Sequence, residues 1–223
     1  LDEKFPALTR EAEVLSEKYI GAEQEVTELL KLDAIFTMVP VHRFLHNPRK
    51  ELMKELTDPL FELLKGRSTP EVFEQKVSRS IEAGFKANRS LGYAKWVALS
   101  LVKLLECDML FHVPTPEAKV TPHGEPVHLE KPVPAPEETK NLSFEHGPHL
   151  YVPFILPHFI VHSARLNRYV SMRTELVSRA ELSADNASER KEWISLDPIE
   201  EQYMSAARNP SLLVYLGDKP EEL

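Results

Sequence analysis

The sequence predicts a mainly α protein: a multi-helix bundle with a long Pro-rich crossover that has room for one small β-hairpin. Three observations carry this expectation. Apolar residues recur at helical spacing through most of the first hundred positions, among them Val14, Leu15, Tyr19, Val26, Leu29 and Leu30. Helix-start signals, an Asn, Asp or Thr followed by Pro, stand at Asn47-Pro48, Asp58-Pro59 and Thr69-Pro70. Eight of the 18 prolines crowd between Pro114 and Pro148, where no helix can form.

Along the chain, 8–39 reads as a first helix, with Gly21 as a place to bend it and Pro40 as its stop. The three Pro signals then predict short, angled helices. The third opens a longer one, with Val72, Phe73, Val77, Ile81 and Phe85 on one side. The stretch "GYAKWVALSLVKLLECDML" (92–110) is apolar nearly all round and is expected to be the buried central helix. In 113–149, Val120 and Val127 flank a turn-prone His123-Gly124, which suits a hairpin, and "KPVPAPEE" suits extended polyproline chain. Pro157 is expected to open a helix that runs to about Leu182 and packs against the 92–110 helix. Asp197, Pro198 and Glu200 form a further N-terminal capping pattern, and "SLLVYLGD" (211–218) has the composition of a strand. Together these predict one domain over 1–223. A helical N-terminal part (1–112) and a helical C-terminal part (150–223) flank a Pro-rich crossover (113–149), and neither part alone has much to bury.

Composition narrows the function classes. The 223 residues are 42% hydrophobic, enough for a real core, and the net charge of −8 argues against a nucleic-acid partner, which needs a dense basic surface. Apolar stretches fall short of the roughly 20 residues a bilayer span needs, so no transmembrane segment is expected. The chain starts with Leu and reads as a processed piece of a longer protein. The lone Cys107 excludes an intrachain disulfide and suits a reducing, cytoplasmic compartment. It ends an apolar run, where a cysteine is a small buried hydrophobe sooner than a nucleophile. There is no G-x-S-x-G elbow, no P-loop and no G-x-G-x-x-G.

Two H-x3-H pairs stand out, His42/His46 and His158/His162. On a helix such a spacing stacks two imidazoles on one face, where they can share a divalent metal. Neither pair has the intervening Glu of a zinc protease, and each supplies two ligands where a catalytic zinc needs three. For His42 and His46 the plainer reading is a solvated helix end. The second pair continues into a row: His158, His162, Arg165, Tyr169 and Arg173, spaced by three or four, with Arg168 beside it. Leu156, Ile160, Leu166, Val170 and Val177 fall on the other side. On an amphipathic helix this makes a cationic and aromatic stripe in an acidic protein, and Arg suits carboxylate or phosphate. The acidic residues of the first helix, Glu11 to Glu28, spread around it and read as a solvated face.

The function expected from these residues is a non-enzymatic protein-interaction or regulatory module that presents the 158–173 face to an acidic protein partner or an anion. The alternative is a metal-binding protein or enzyme centred on His158 and His162, with Arg165 and Arg173 orienting an anionic small molecule. In it one histidine is a metal ligand or a general base.

Overall fold

The computed structural model of the chain describes residues 3–114, 135–145, 157–174 and 212–223. It corrects the mainly α expectation. Among the described residues five helices, α1 (Pro6–Leu30), α2 (Val39–His46), α3 (Pro48–Lys54), α4 (Thr57–Leu64) and α5 (Pro70–Leu104), are joined by seven strands. These are β1 (Ala34–Phe36), β2 (Cys107–His112), β3 (Glu137–Glu138), β4 (Asn141–Ser143), β5 (Phe159–Ser163), β6 (Arg168–Thr174) and β7 (Leu212–Gly217). Two compact units result, one from Leu1–Gln24 with Thr37–Val97, the other from Glu25–Phe36 with Ala98–Leu223.

The first unit is helical, and its helices begin where the sequence signals them. Asn47 caps α3 by accepting the backbone N–H of Lys50 at 3.1 Å, with Pro48 in the first turn. Thr69 Oγ1 accepts the Val72 N–H at 3.4 Å at the start of α5. At the middle signal the helix opens one residue early, so Asp58 lies in the first turn of α4 instead of capping it. Gly21 sits within an unbroken α1. Pro40 lies in the first turn of α2, where a missing N–H costs nothing, so it starts a helix and does not end one. Leu15, Tyr19, Phe44, Leu45, Leu52, Ile81 and Phe85 form the core of this unit. Gly92 is required there: a Cβ would come within 2.7 Å of the buried Leu45 side chain.

The second unit is built on an antiparallel sheet of order β3-β2-β5-β6-β7, with a separate parallel pair of β1 and β4. The expected helix over 92–110 ends at Leu104. Glu106 takes a positive φ of 50°, and Cys107 enters β2. The expected helix from Pro157 is replaced by a hairpin. β5 ends at Ser163, residues 164–167 turn, and β6 runs back to Thr174, with Asn167 at φ 51° supplying the left-handed turn position. Ser163 Oγ stabilises this corner by donating to Leu105 O at 2.6 Å and accepting the Leu166 N–H at 3.1 Å. The reason for strand over helix lies in "FIVHS": β-branched and aromatic side chains suit a pleated surface, and β5 has a hydrogen-bonded strand on each side. The rest of the expected helix, 175–182, lies outside the described residues, as do the hairpin around His123-Gly124 and the capping pattern at 197–200. The strand-like composition at 211–218 yields β7, which pairs with β6. Ile160, Val161, Val170, Met172, Phe159 and Phe144 make the core, with Phe144 and Phe159 edge to face at 5.5 Å.

Candidate functional site

The hairpin redistributes the row expected on one helical face. Alternate residues of a strand share a face, so Tyr169, Ser171 and Arg173 of β6 point one way while Val170, Met172 and Thr174 point the other. Directly paired residues share a face as well. His162 stands opposite Tyr169, and Ser171 lies between Ile160 of β5 and Tyr215 of β7. The His162 and Tyr169 rings meet at 5.0 Å. Arg173 is one strand repeat beyond Ser171 on the same side.

Arg173 and Ser171 line a cavity of about 320 Å³ with Pro157, Tyr215, Leu216, Glu222 and Leu223. Both are buried, Arg173 to 7% exposure and Ser171 to 1%. The Ser171 hydroxyl has no hydrogen-bond partner, which makes it a polar group kept dry without compensation. The wall of the cavity closes through a short 3-10 turn, Pro220–Glu222, that follows β7. Glu222 Oε2 accepts the Asp218 N–H at 3.1 Å, and Leu223 packs where Gly217 leaves room, since a Cβ there would lie 2.9 Å from its Cγ. Asp218 also pairs with Arg168 at 3.3 Å.

The two histidines of the row go to different tasks. Four residues along extended chain is roughly 13 Å, so His158 and His162 do not converge as they would on a helix. His158 is buried; its ring Nδ1 accepts the Thr174 N–H at 3.0 Å, and its backbone N–H donates to Met172 O at 2.8 Å. His162 Nδ1 donates to Asp108 Oδ1 at 2.7 Å, because an ionised carboxylate only accepts. That bond orients the ring, and in the neutral tautomer it leaves Nε2 as the acceptor. Among the described residues no serine, threonine or cysteine side chain is hydrogen-bonded to His162. The neighbouring Cys107 is buried, and burial, with a smaller push from Asp108, raises its thiol to about 12. Arg165 lies in the turn, with Nη1 donating to Leu104 O at 3.2 Å. The structure thus joins His162 to Tyr169 and Arg173 to Ser171, and sets Arg165 apart. Ser171, Tyr215, Glu222 and Asp108 were missed. The alternation of "RYVSMRT", once read with period two, puts Ser171 beside Arg173.

The other pair, His42 and His46, closes α2 with ring centroids 4.2 Å apart. His46 Nε2 lies 3.3 Å from Glu23 Oε2, and Glu23 accepts the Tyr19 hydroxyl at 3.2 Å. Burial first, then the Glu23 charge, drives the Tyr19 phenol far above its usual range. Among the described residues no three His, Cys, Asp or Glu side chains gather to hold a metal ion, and no helix is long and apolar enough to cross a membrane. No protein-family model, no curated protein and no solved structure matches the chain.

Proposed function

We propose that the chain is a binding module without chemistry of its own, and that the cavity beside β6 and β7 captures a carboxylate. One observation carries this: a buried serine hydroxyl that has no hydrogen-bond partner lines the same cavity as a buried arginine. A guanidinium has five N–H donors in a planar fork, and a carboxylate accepts two of them side by side. The hydroxyl supplies a further donor, and a ligand that accepts it relieves a buried group that is otherwise unsatisfied. Tyr215 and Leu216 give the bound group an aromatic and apolar lip. We place the protein in a reducing compartment, the setting in which a single buried thiol stays free.

Calorimetric titration tests this. 3-Phenylpropionate and a glutamate-rich peptide serve as the two carboxylate sources, added to the wild type and to Ser171→Ala. Wild type should bind at least one of them. Ser171→Ala should bind that ligand about five- to ten-fold more weakly, the loss of about 1 kcal/mol of hydrogen bonding. Binding of neither, or an affinity unchanged in a folded Ser171→Ala protein, refutes the proposal.

The Asp108–His162 bond favours a second reading, in which His162 Nε2 takes a proton from a bound ligand or binds a metal ion. Zinc titration of the wild type and His162→Gln tests its metal form; equal heats from both would dismiss that form.

A further inference from the structure

The five-stranded sheet ends in two unlike edges. One is β3 (Glu137–Glu138), two exposed residues that both carry charge. Shortness and charge are common means of keeping a sheet edge from pairing with another chain. The other edge is β7 (Leu212–Gly217), six residues with no charge, no proline and no register shift against β6. We propose that β7 is an interface between two copies of this chain, paired β7 to β7 in antiparallel register to continue one sheet across a closed dimer.

The backbone of β7 pairs with β6 on one side, and among the described residues it makes no backbone hydrogen bond on the other. An antiparallel neighbour supplies donors and acceptors to that open row. The side chains favour a second copy as that neighbour. Val214, Tyr215 and Leu216 are 42%, 53% and 55% exposed, although each is a large apolar or aromatic group. Successive residues of a strand alternate between faces, so this edge is apolar on both. A strand with one polar face would match half of it. A copy of β7 matches both, because a two-fold axis perpendicular to the sheet near Val214 and Tyr215 continues each face into the same face of the other copy.

Charge sets the direction. Asp218, Glu221 and Glu222 follow β7, with Lys219 among them. Parallel copies would set these acids side by side. Antiparallel copies place them at opposite ends of a six-residue strand, roughly 20 Å apart, where a screening length of about 8 Å mutes their repulsion. The antiparallel arrangement also closes, since each β7 is used once and the charged β3 edge offers no further strand site. One edge strand and its side chains make a small interface, so the dimer should be weak, with a Kd on the order of 10–100 μM.

Sedimentation velocity of the full chain, from about 1 to 500 μM, brackets that range. The wild type should pass from its 25.5 kDa monomer towards twice that mass as concentration rises. In the dimer Val214 of one copy lies beside Val214 of the other, so Val214→Lys and Val214→Glu each set like charges together. Each variant alone should dimerise about ten-fold more weakly or worse while keeping the wild-type circular dichroism spectrum. Mixed in equal amounts, the two should recover the dimer through opposite charges, an outcome that loss of fold does not produce. A wild type that stays monomeric throughout, species larger than a dimer, or variants that dimerise as well as the wild type overturn the proposal. So does a mixture no more dimeric than either variant alone.

Discussion

The two compact units differ in how they place their polar groups. In the helical unit, charge lies on the outside. Arg89–Glu11, Arg49–Glu13, Lys76–Glu62 and Lys4–Glu74 are ion pairs between exposed side chains. Such pairs contribute little, because water screens them and two long side chains must be held still. Of its buried hydroxyls, Ser16 donates to Leu45 O and Thr9 to Phe5 O, whereas Thr37 Oγ1 has no hydrogen-bond partner. Lys95 of α5 is buried as well. In the sheet unit the polar groups of the hairpin go inside: His158, Ser163, Ser171, Arg173 and Thr174 are all buried. One of them, Ser171, has no partner at all. A buried polar group costs stability unless something satisfies it, and each unit holds one such hydroxyl, Thr37 in the helical unit and Ser171 in the sheet unit.

The largest test of this comparison concerns the apolar cores, which should behave alike. Phe44→Ala in the helical unit and Phe159→Ala in the sheet unit each remove a side chain no more than 1% exposed. Each should cost about 3–5 kcal/mol in urea unfolding. A much smaller loss at Phe159 would mean the hairpin is not packed as described.

The sharpest contrast is between two serines. Ser16→Ala removes a buried hydroxyl that donates to Leu45 O and should cost about 1–2 kcal/mol. Ser171→Ala removes a hydroxyl that bonds to nothing and should leave stability within about 0.5 kcal/mol, or raise it. If thermal melting shows the two to be equally destabilising, Ser171 is satisfied in solution and the contrast between the two serines fails.

A smaller effect, of about 1 kcal/mol, is expected for Tyr19→Phe, which breaks the bond to Glu23. Its pH dependence has a definite sign. The folded phenol is raised above its usual 10.0 and the folded Cys107 thiol above its usual 9.0, so folded chains keep protons that unfolded chains release. The stability these groups contribute is whole below about pH 9. It is lost as the pH rises from there towards the folded values. Urea midpoints measured from pH 7 to 11 should fall on the alkaline side, and Tyr19→Phe should fall less steeply above pH 10. The smallest change belongs to the surface: Glu11→Gln, which removes the carboxylate facing Arg89, should alter stability by less than about 0.5 kcal/mol.

Much of the helical unit was legible from local signals. Asn47-Pro48 and Thr69-Pro70 mark helix starts because a cap and a first-turn proline act within a few residues of chain. Pro40 misled for the same local reason, since proline at a first turn and proline at a stop are one residue type in two settings. The site was legible in part. His162, Tyr169 and Arg173 do share a face, although the expectation placed them on a helix. A spacing of four residues returns to the same side after about one helical turn, and it does so again after two strand repeats. Arg165 was included because a step of three suits a helix; on a strand it crosses faces, and here it falls in the turn.

By itself the sequence determined the helix starts at Asn47 and Thr69, the apolar segments and the strand composition of 211–218. All of these depend on neighbours a few positions away. Only the tertiary structure decided that 159–174 is a hairpin. The preference of "FIVHS" for strand over helix is slight until β2 and β6 supply hydrogen bonds on its two sides. It also decided that Ser171 and Arg173 on β6 meet Tyr215 of β7 and Glu222 across some forty positions of chain. Pairings over such distances are set by which backbone edges remain to be satisfied, and no local pattern of side chains encodes them.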